Sequence, residues 1–515
     1  MDRRLPLAII VLLGRFPDEL KSIIAQSRRG SRWLRIYSQC NTSDDIMSPI
    51  THMLVAFCAY LQLKERNGEV LERTKQLLLD YLGVAIAGSR VESAKAVCRM
   101  LAGSAPPGPS TVIGTALQLS PEHAALANGT AAHSIEMDDT HQAGSIHLGV
   151  VMFSTAIALA QSQPDLEVDQ FVSAVVAGYE VAARLAMALE PKSHYELGFH
   201  PTATCGVFGA TATAAKLLRL SEEQMLSALG IAGSMAAGSL EFLAHGTWTK
   251  RLHPGLAAQN GILAARLAAS GFRGPSTILE GRDGFLSAYS RSSKPELVTQ
   301  NLGQDFAILH TSVKPHACCR YMQAPIDGLI GLAITHDIHP EEVERVEVAV
   351  LEAGWPLVCE PRQRKYSPIN IVDAQFSMPF GAAVALMYRK AGLEQFTEGN
   401  FRSPQICSLM RKVVLTKDAR IEENFPAEWP ARVEVHLTNG ERLEKYVRFP
   451  KGDPENPLGW PELSAKFLSL ATRVIPAEKS EQIIHVVTDL DSSAALGDIW
   501  TLTAVPATAR SKATN

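Results

Sequence analysis

From about residue 50 onward, apolar residues recur at helical spacing. In LERTKQLLLDYLGVAIAG (71–88), Leu71, Leu77, Leu78, Leu82, Val84 and Ile86 follow a charged start, which predicts a buried amphipathic helix ending at Gly88. Ser120, Pro121 and Glu122 supply a capping hydroxyl, a proline at the first helical position and an acid in the first turn. The helix they start is predicted to run through HAALANGTAAHSIEM, to Met137. Ser221 and Gln224 have capping-box spacing ahead of another apolar run. Segments 149–162, 169–189, 203–220 and 255–271 are Ala-rich at the same period, so their helices can approach closely.

The pattern changes near residue 304. VERVEVAVLEA (343–353) alternates and is β-branched, predicting a strand. The stretch from Ala431 to Arg448 has two alternating runs around Asn439-Gly440, which predicts a hairpin with a type I′ turn and positive φ at both central residues. Between these, 374–392 reads as one helix, and helix returns over 454–474. The expected fold is mainly α: a large all-helical domain over 49–303, a smaller α+β lid domain over 304–452, and C-terminal helices over 453–503 that rejoin the first domain. Residues 504–515 are expected to fray. Residues 1–48 are expected to be a poorly ordered extension or a targeting segment, with Met47 as an alternative start.

Composition narrows the class. Hydrophobic residues make up 46% of the 515, enough for a large core and too many for a disordered chain. The 49 basic and 53 acidic residues give a net charge of -4, without the basic excess of a general nucleic-acid binder. No run of about 18 apolar residues occurs, so no membrane span is expected. The eight cysteines include no C-x-x-C pair, which argues against zinc ribbons and thioredoxin-type sites and for free thiols in an intracellular compartment, cytosolic or mitochondrial. P-loop, G-x-G-x-x-G, H-E-x-x-H and G-x-S-x-G motifs are absent.

Chemistry concentrates in AAHSIEMDDTHQAGSIHLG (131–149), where His133, Glu136, Asp138, Asp139, Thr140, His141 and His147 sit between apolar helices. Ionisable groups beside buried surface need partners. The residue types fit general acid–base chemistry, a divalent metal site, or a capped helix end with a polar loop. His200 precedes an Ala/Thr-rich helix, and Lys250, Arg251 and His253 stand directly before a predicted helix start, where cations and a helix N-terminus can hold carboxylates or phosphates. Lys314, His316, Arg320 and Tyr321 cluster where the α+β region begins, next to Cys318-Cys319, a pair read as packing rather than redox.

Six blocks in one order carry a resemblance: NGTAAHSIEMDDTHQAGSIH (128–147), GFHPTAT (198–204), TKRLHPGLAAQNG (249–261), the GF pair of EGRDGF (280–285), VKPHACCRY (313–321) and DAQFSMPF (373–380). Over roughly 50–500 the chain resembles the MmgE/PrpD family of lyases, which includes 2-methylcitrate dehydratase and cis-aconitate decarboxylase. The resemblance implies a homodimer with its active site between the two domains and with neither metal nor organic cofactor. Carried over motif by motif, it marks Glu136, Thr140, His147, His200, Lys250 and Lys314, and matches Tyr366 in RKYSPIN to a lid tyrosine. A tricarboxylate substrate would be held by Lys250, Lys314 and Arg251 or Arg320. His147 and His200 would serve as base and acid, one of them oriented by Asp139 or Glu136. Glu136, where many members have Asp, and a one-residue longer loop before His147 resemble fungal members. The expected activity is dehydration of 2-methylcitrate or a longer 2-alkylcitrate, in secondary-metabolite biosynthesis. Decarboxylation of cis-aconitate to itaconate is the alternative, and a non-catalytic helical scaffold the alternative of another class.

Overall fold

The computed structural model describes residues 50–63 and 68–505. The extension expected over 1–48 and the end of the tail, 506–515, lie outside them. Six long helices frame the larger part: α1 (Gly68–Gly88), α2 (Pro121–Ala132), α3 (Gly149–Ala160), α4 (Val168–Ala188), α5 (Gly206–Leu217) and α6 (Thr249–Ala269). α6 packs on α2 and α5, and α5 packs on α4.

Small residues set these spacings. A Cβ on Gly255 of α6 would lie 2.3 Å from the Leu126 carbonyl oxygen of α2, and one on Gly129 would lie 2.8 Å from the Gly255 Cα. The two backbones therefore touch at this crossing. α1 does end at Gly88, where a Cβ would lie 1.8 Å from the Ala131 carbonyl oxygen. α4 is, among the described residues, the one helix long and apolar enough to cross a membrane; 94% of that window is buried inside the protein, and it carries the Glu180–Arg184 pair.

Two helix boundaries depart from the sequence pattern. α2 stops at Ala132 rather than Met137, and the chain turns through Glu136 at φ 58°. α6 begins at Thr249, so Lys250, Arg251 and His253 occupy its first turns rather than preceding it, and Pro254 lies inside the helix. The Ser221–Gln224 capping box is formed, at 3.3 and 3.0 Å.

The smaller part is α+β. Its sheet contains β1 (Val343–Ala349), β2 (Val413–Thr416), β3 (Ala431–Leu437) and β4 (Arg442–Val447) in the order β2-β1-β3-β4. β1 runs parallel to β2, pairing Val346 with Val413, and antiparallel to β3, pairing Val346 with Val435. The β3–β4 hairpin differs from the expected two-residue type I′ turn. Gly440 N–H donates to the Leu437 carbonyl at 2.9 Å, and Gly440 alone in the turn has positive φ, 88°. One glycine at the left-handed position replaces two strained centres. The predicted helix over 374–392 is broken into Ile371–Gln375 and Met378–Tyr388. Pro379 has no N–H to continue the first helix, and Ser377 Oγ caps the second by accepting from Phe380 N–H at 3.1 Å.

Helix Trp460–Ala471 packs back on α1, with the Phe467 ring 3.1 Å from where a Gly83 Cβ would stand. Val505 N–H donates to the Thr115 carbonyl at 3.0 Å, tying the end of the described chain to the helical part.

Gly255→Ala is expected to force α2 and α6 apart at a cost of about 1–3 kcal/mol, the usual range for overpacking a tight core. The measurement is the urea midpoint at unchanged far-UV circular dichroism; an unaltered midpoint would mean that the crossing has room to spare.

Candidate functional site

The turn after α2 builds the site. His133 caps α2, the left-handed Glu136 reverses the chain, the chain bends again at Asp138, and Thr140–His141 then forms a two-residue strand. A left-handed conformation costs a glutamate about 1–3 kcal/mol, so the surroundings must hold it. They do so from three directions. Gln375 Nε2 donates to the Ile135 carbonyl at 3.1 Å, Lys466 Nζ donates to the Met137 carbonyl at 2.7 Å, and Thr140 and His141 pair antiparallel with Ser312 and Thr311. That two-residue ladder brings Lys314 to the same loop.

Asp138 is the centre. Its Oδ2 lies 2.7 Å from His133 Nδ1 and 2.9 Å from His147 Nδ1, and its Oδ1 lies 3.4 Å from Lys314 Nζ. Lys314 is also 3.7 Å from Glu136, whose other oxygen pairs with Lys250. Lys250 Nζ stands 5.2 Å over the Phe376 ring. Thr140 Oγ1 lies 3.3 Å from His147 Nδ1. The His200 ring sits 6.0 Å from His133 and 6.4 Å from His147, and its Nδ1 meets His253 Nδ1 at 2.9 Å. All of these side chains are buried, His147 the least at 9% exposure. Open cavities of about 350 and 570 Å³ lie elsewhere on the surface, the larger reaching Ser93 and Thr130.

Glu136, Thr140, His147, His200, Lys250 and Lys314 thus converge. Arg251 borders them, donating to Ser93 Oγ at 3.4 Å and Gln375 Oε1 at 3.2 Å. Three candidates are engaged otherwise. The Asp139 carboxylate orients no histidine: it accepts from Gly149 N–H at 2.8 Å and Tyr179 O–H at 2.7 Å, fixing the start of α3, while the Asp139 backbone carbonyl accepts from His147 Nδ1 at 2.9 Å. Asp138 and Asp139, adjacent at the bend, thus face different partners and cannot share a role. Glu136 likewise faces lysines rather than an imidazole. Arg320 pairs with Asp453 and lies over the Trp429 ring, and the Tyr366 hydroxyl donates to the Val413 carbonyl at 2.7 Å. The sequence names Asp138, His133 and His253 only as members of polar clusters, without a role in the site, and does not single out Gln375. The polar density around 131–149 contains the first two, but only tertiary structure separates them from their neighbours.

Electrostatics follow from burial. Burial raises the Glu136 carboxyl, but Lys250 and Lys314 hold it down at about 2. Burial likewise raises Asp138, and the His133 and His147 rings and Lys314 reverse it, so it stays ionised. Burial lowers Lys314, and Asp138 and Glu136 more than restore its charge. Burial pushes His147 down to about 4 and His200 well below its usual value, so both are neutral in the empty site. Burial lifts Asp139 to about 7. His133, Asp138 and His147 place potential ligand atoms within 4.8 Å of one another. Both Nδ1 atoms, however, are used as donors, that of His133 to Asp138 and that of His147 to the Asp139 carbonyl, and Lys314 already supplies the opposing charge. The set fits a hydrogen-bonded ion pair better than a metal.

Family models match the chain twice: the MmgE/PrpD N-terminal domain over residues 52–298 and the MmgE/PrpD C-terminal domain over 316–492. A cis-aconitate decarboxylase-like protein, oryM, of Aspergillus oryzae is 28% identical over 478 residues, 88% of this chain and 97% of that protein. A cis-aconitate decarboxylase of Aspergillus terreus is 26% identical, over 88% of this chain and 94% of its own length. That of Homo sapiens is 25% identical, over 87% and 92%.

Burial also lowers His141 to about 3 and His194 and His253 to about 4, each from 6.5. Groups depressed in the folded state contribute stability that is complete above the unfolded value of 6.5 and is lost as pH falls through 4. His147→Gln is therefore expected to flatten the decline of the urea midpoint between pH 6.5 and 4. Parallel curves for variant and wild type would show that burial does not lower the His147 ring in the folded protein.

Proposed function

Because the chain belongs to the MmgE/PrpD family, we propose that it is a lyase acting on a tricarboxylate of the citrate–aconitate class, and that it decarboxylates a cis-aconitate-type substrate. The names of its relatives support the reaction. The observation that carries the substrate class is Arg251. It is 3% exposed and has only neutral hydrogen-bond partners among the described residues. Lys250 and Lys314 are matched by Glu136 and Asp138, so Arg251 is the unmatched cation of the site. Guanidinium geometry suits a carboxylate.

The reaction breaks the C–C bond to one carboxyl group, which departs as CO₂. The released electron pair forms the terminal C=C. The former C=C pair moves to the carbon beside the opposite terminal carboxylate, and that carbon takes a proton. Arg251, Lys250 and Lys314 hold the carboxylates that remain and stabilise the charge that develops beside them. The departing carboxylate loses its charge, a step favoured where water is excluded. His147 and His200 are neutral in the empty site, and a substrate with three negative charges raises them, so one becomes the proton donor. The lysines provide the positive charge, so no cofactor is required.

A second reading has its own observation. The Asp139 carbonyl accepts the Nδ1–H of His147 beside the Asp138 carboxylate, which leaves Nε2 with a lone pair and the properties of a base. Such a base could remove a proton next to a carboxylate of 2-methylcitrate or a longer 2-alkylcitrate, while the second imidazole protonates the departing hydroxide to water.

Incubation with cis-aconitate, 2-methylcitrate and a longer 2-alkylcitrate, with products read by mass spectrometry, decides. Loss of CO₂ supports the first reading, loss of water the second, and inertness toward all three removes both. Arg251→Ala is expected to raise KM about 10- to 100-fold, the equivalent of one charged hydrogen bond, with a smaller change in kcat. Unchanged KM would take Arg251 out of substrate binding.

A further inference from the structure

His133 has no part in the steps above, yet it is the most enclosed imidazole of the cluster. It is fully buried at the C-terminal cap of α2. Its Nδ1 faces Asp138 Oδ2 at 2.7 Å, the shorter of the two imidazole contacts to that oxygen. An ionised carboxylate only accepts, so Nδ1 carries the hydrogen, and in the neutral ring Nε2 carries the lone pair. That Nε2 is buried and has no hydrogen-bond partner. Buried polar atoms are nearly always partnered, so one left open in a charged cluster points to a ligand. The ring lies edge-on to His147, 4.7 Å between centroids, and is stacked 6.0 Å from His200, with Lys250 and Glu136 also acting on it. His133 therefore borders the space where the imidazoles converge.

We infer that His133 is a further catalytic residue, whose Nε2 touches the substrate and exchanges a proton with the reacting carbon while Asp138 holds the opposite side of the ring. The inference rests on the lyase reading. One Asp138 oxygen serves both His133 and His147, so its single negative charge supports one imidazolium at a time. In decarboxylation, the His133 imidazolium gives its Nε2 proton to the carbon that received the shifted pair. The ring returns to the Nδ1–H tautomer, and water restores the proton as product leaves. In dehydration the same nitrogen would run in reverse, accepting the proton from carbon.

The test uses the full chain and the substrate that the wild type turns over. His133→Asn keeps an N–H donor where Nδ1 stood and removes Nε2. His133→Gln places an amide near Nε2 that cannot carry the proton. Each is expected to lower kcat at least 100-fold, with KM within about threefold and a thermal midpoint within a few degrees. Rates within threefold of wild type in His133→Asn would reduce His133 to a holder of Asp138 and overturn the inference. Should the variants fail to fold, ¹⁵N-histidine spectra of the wild type decide: the His133 Nε2 resonance is expected to move toward the protonated form on adding citrate. A resonance unmoved by bound citrate overturns the inference. A wild type inert toward every tricarboxylate removes the lyase reading and this role together, whereas an active wild type with an active His133→Asn removes this role alone.

Discussion

An ionised carboxylate taken out of water must be surrounded by hydrogen-bond donors and positive charge, or it will not stay ionised. Asp138 is such a carboxylate, 1% exposed. Its donors are His133 from the end of α2 and Lys314 from beyond the helical part, and the His147 ring stands against it from the approach to α3. No local sequence can supply that set, so the charge of one side chain depends on the assembled tertiary structure. The same holds one step outward. Glu136 is ionised only while Lys250 from α6 and Lys314 stand against it.

The helix packing makes this convergence possible. Where α2 and α6 touch at Gly129 and Gly255, the end of α2 and the first turn of α6 are brought side by side, and these ends carry His133 and Lys250. A bulkier crossing would separate the chain ends along with the helices. The α+β part and the C-terminal helices then close the site through few contacts: Gln375 on the Ile135 carbonyl, Lys466 on the Met137 carbonyl, and the short ladder at Thr140. Each grips backbone of the loop that carries Glu136 and Asp138. Movement of the α+β part therefore changes the setting of the carboxylates directly.

The sequence made the helices legible because their burial is periodic, and made the polar segment legible because it interrupts that burial. Less was visible where one residue outweighs a pattern. Pro379 and the Ser377 cap divide a segment that reads as one apolar helix, and the single positive φ at Gly440 replaces the expected two-residue turn. β2 is four residues long and half-buried, too short to show alternation. Asp138 and Asp139 are identical in type and adjacent. Their different roles arise from the turn that the chain takes here, which begins with the left-handed Glu136 and continues through the bend at Asp138. Arg320 is as basic as Arg251 in the sequence. Asp453, more than a hundred residues downstream, pairs with it, while Arg251 forms no ion pair among the described residues.

Charge balance also explains why the site is rich in histidine. Glu136 and Asp138 already match Lys250 and Lys314, so Arg251 is the net positive charge of the empty cluster. A tricarboxylate would bring three negative charges to one. Further fixed cations would balance it, but in the empty state they would face one another in a dry site at a large cost. Imidazoles avoid that conflict. Burial keeps them neutral without substrate, and an arriving carboxylate supplies the field that lets them take up a proton. Positive charge then appears only when there is something to neutralise. The proton taken up lies on a nitrogen close to the reacting carbon, so the group that balances the substrate's charge is also the one that can complete the reaction.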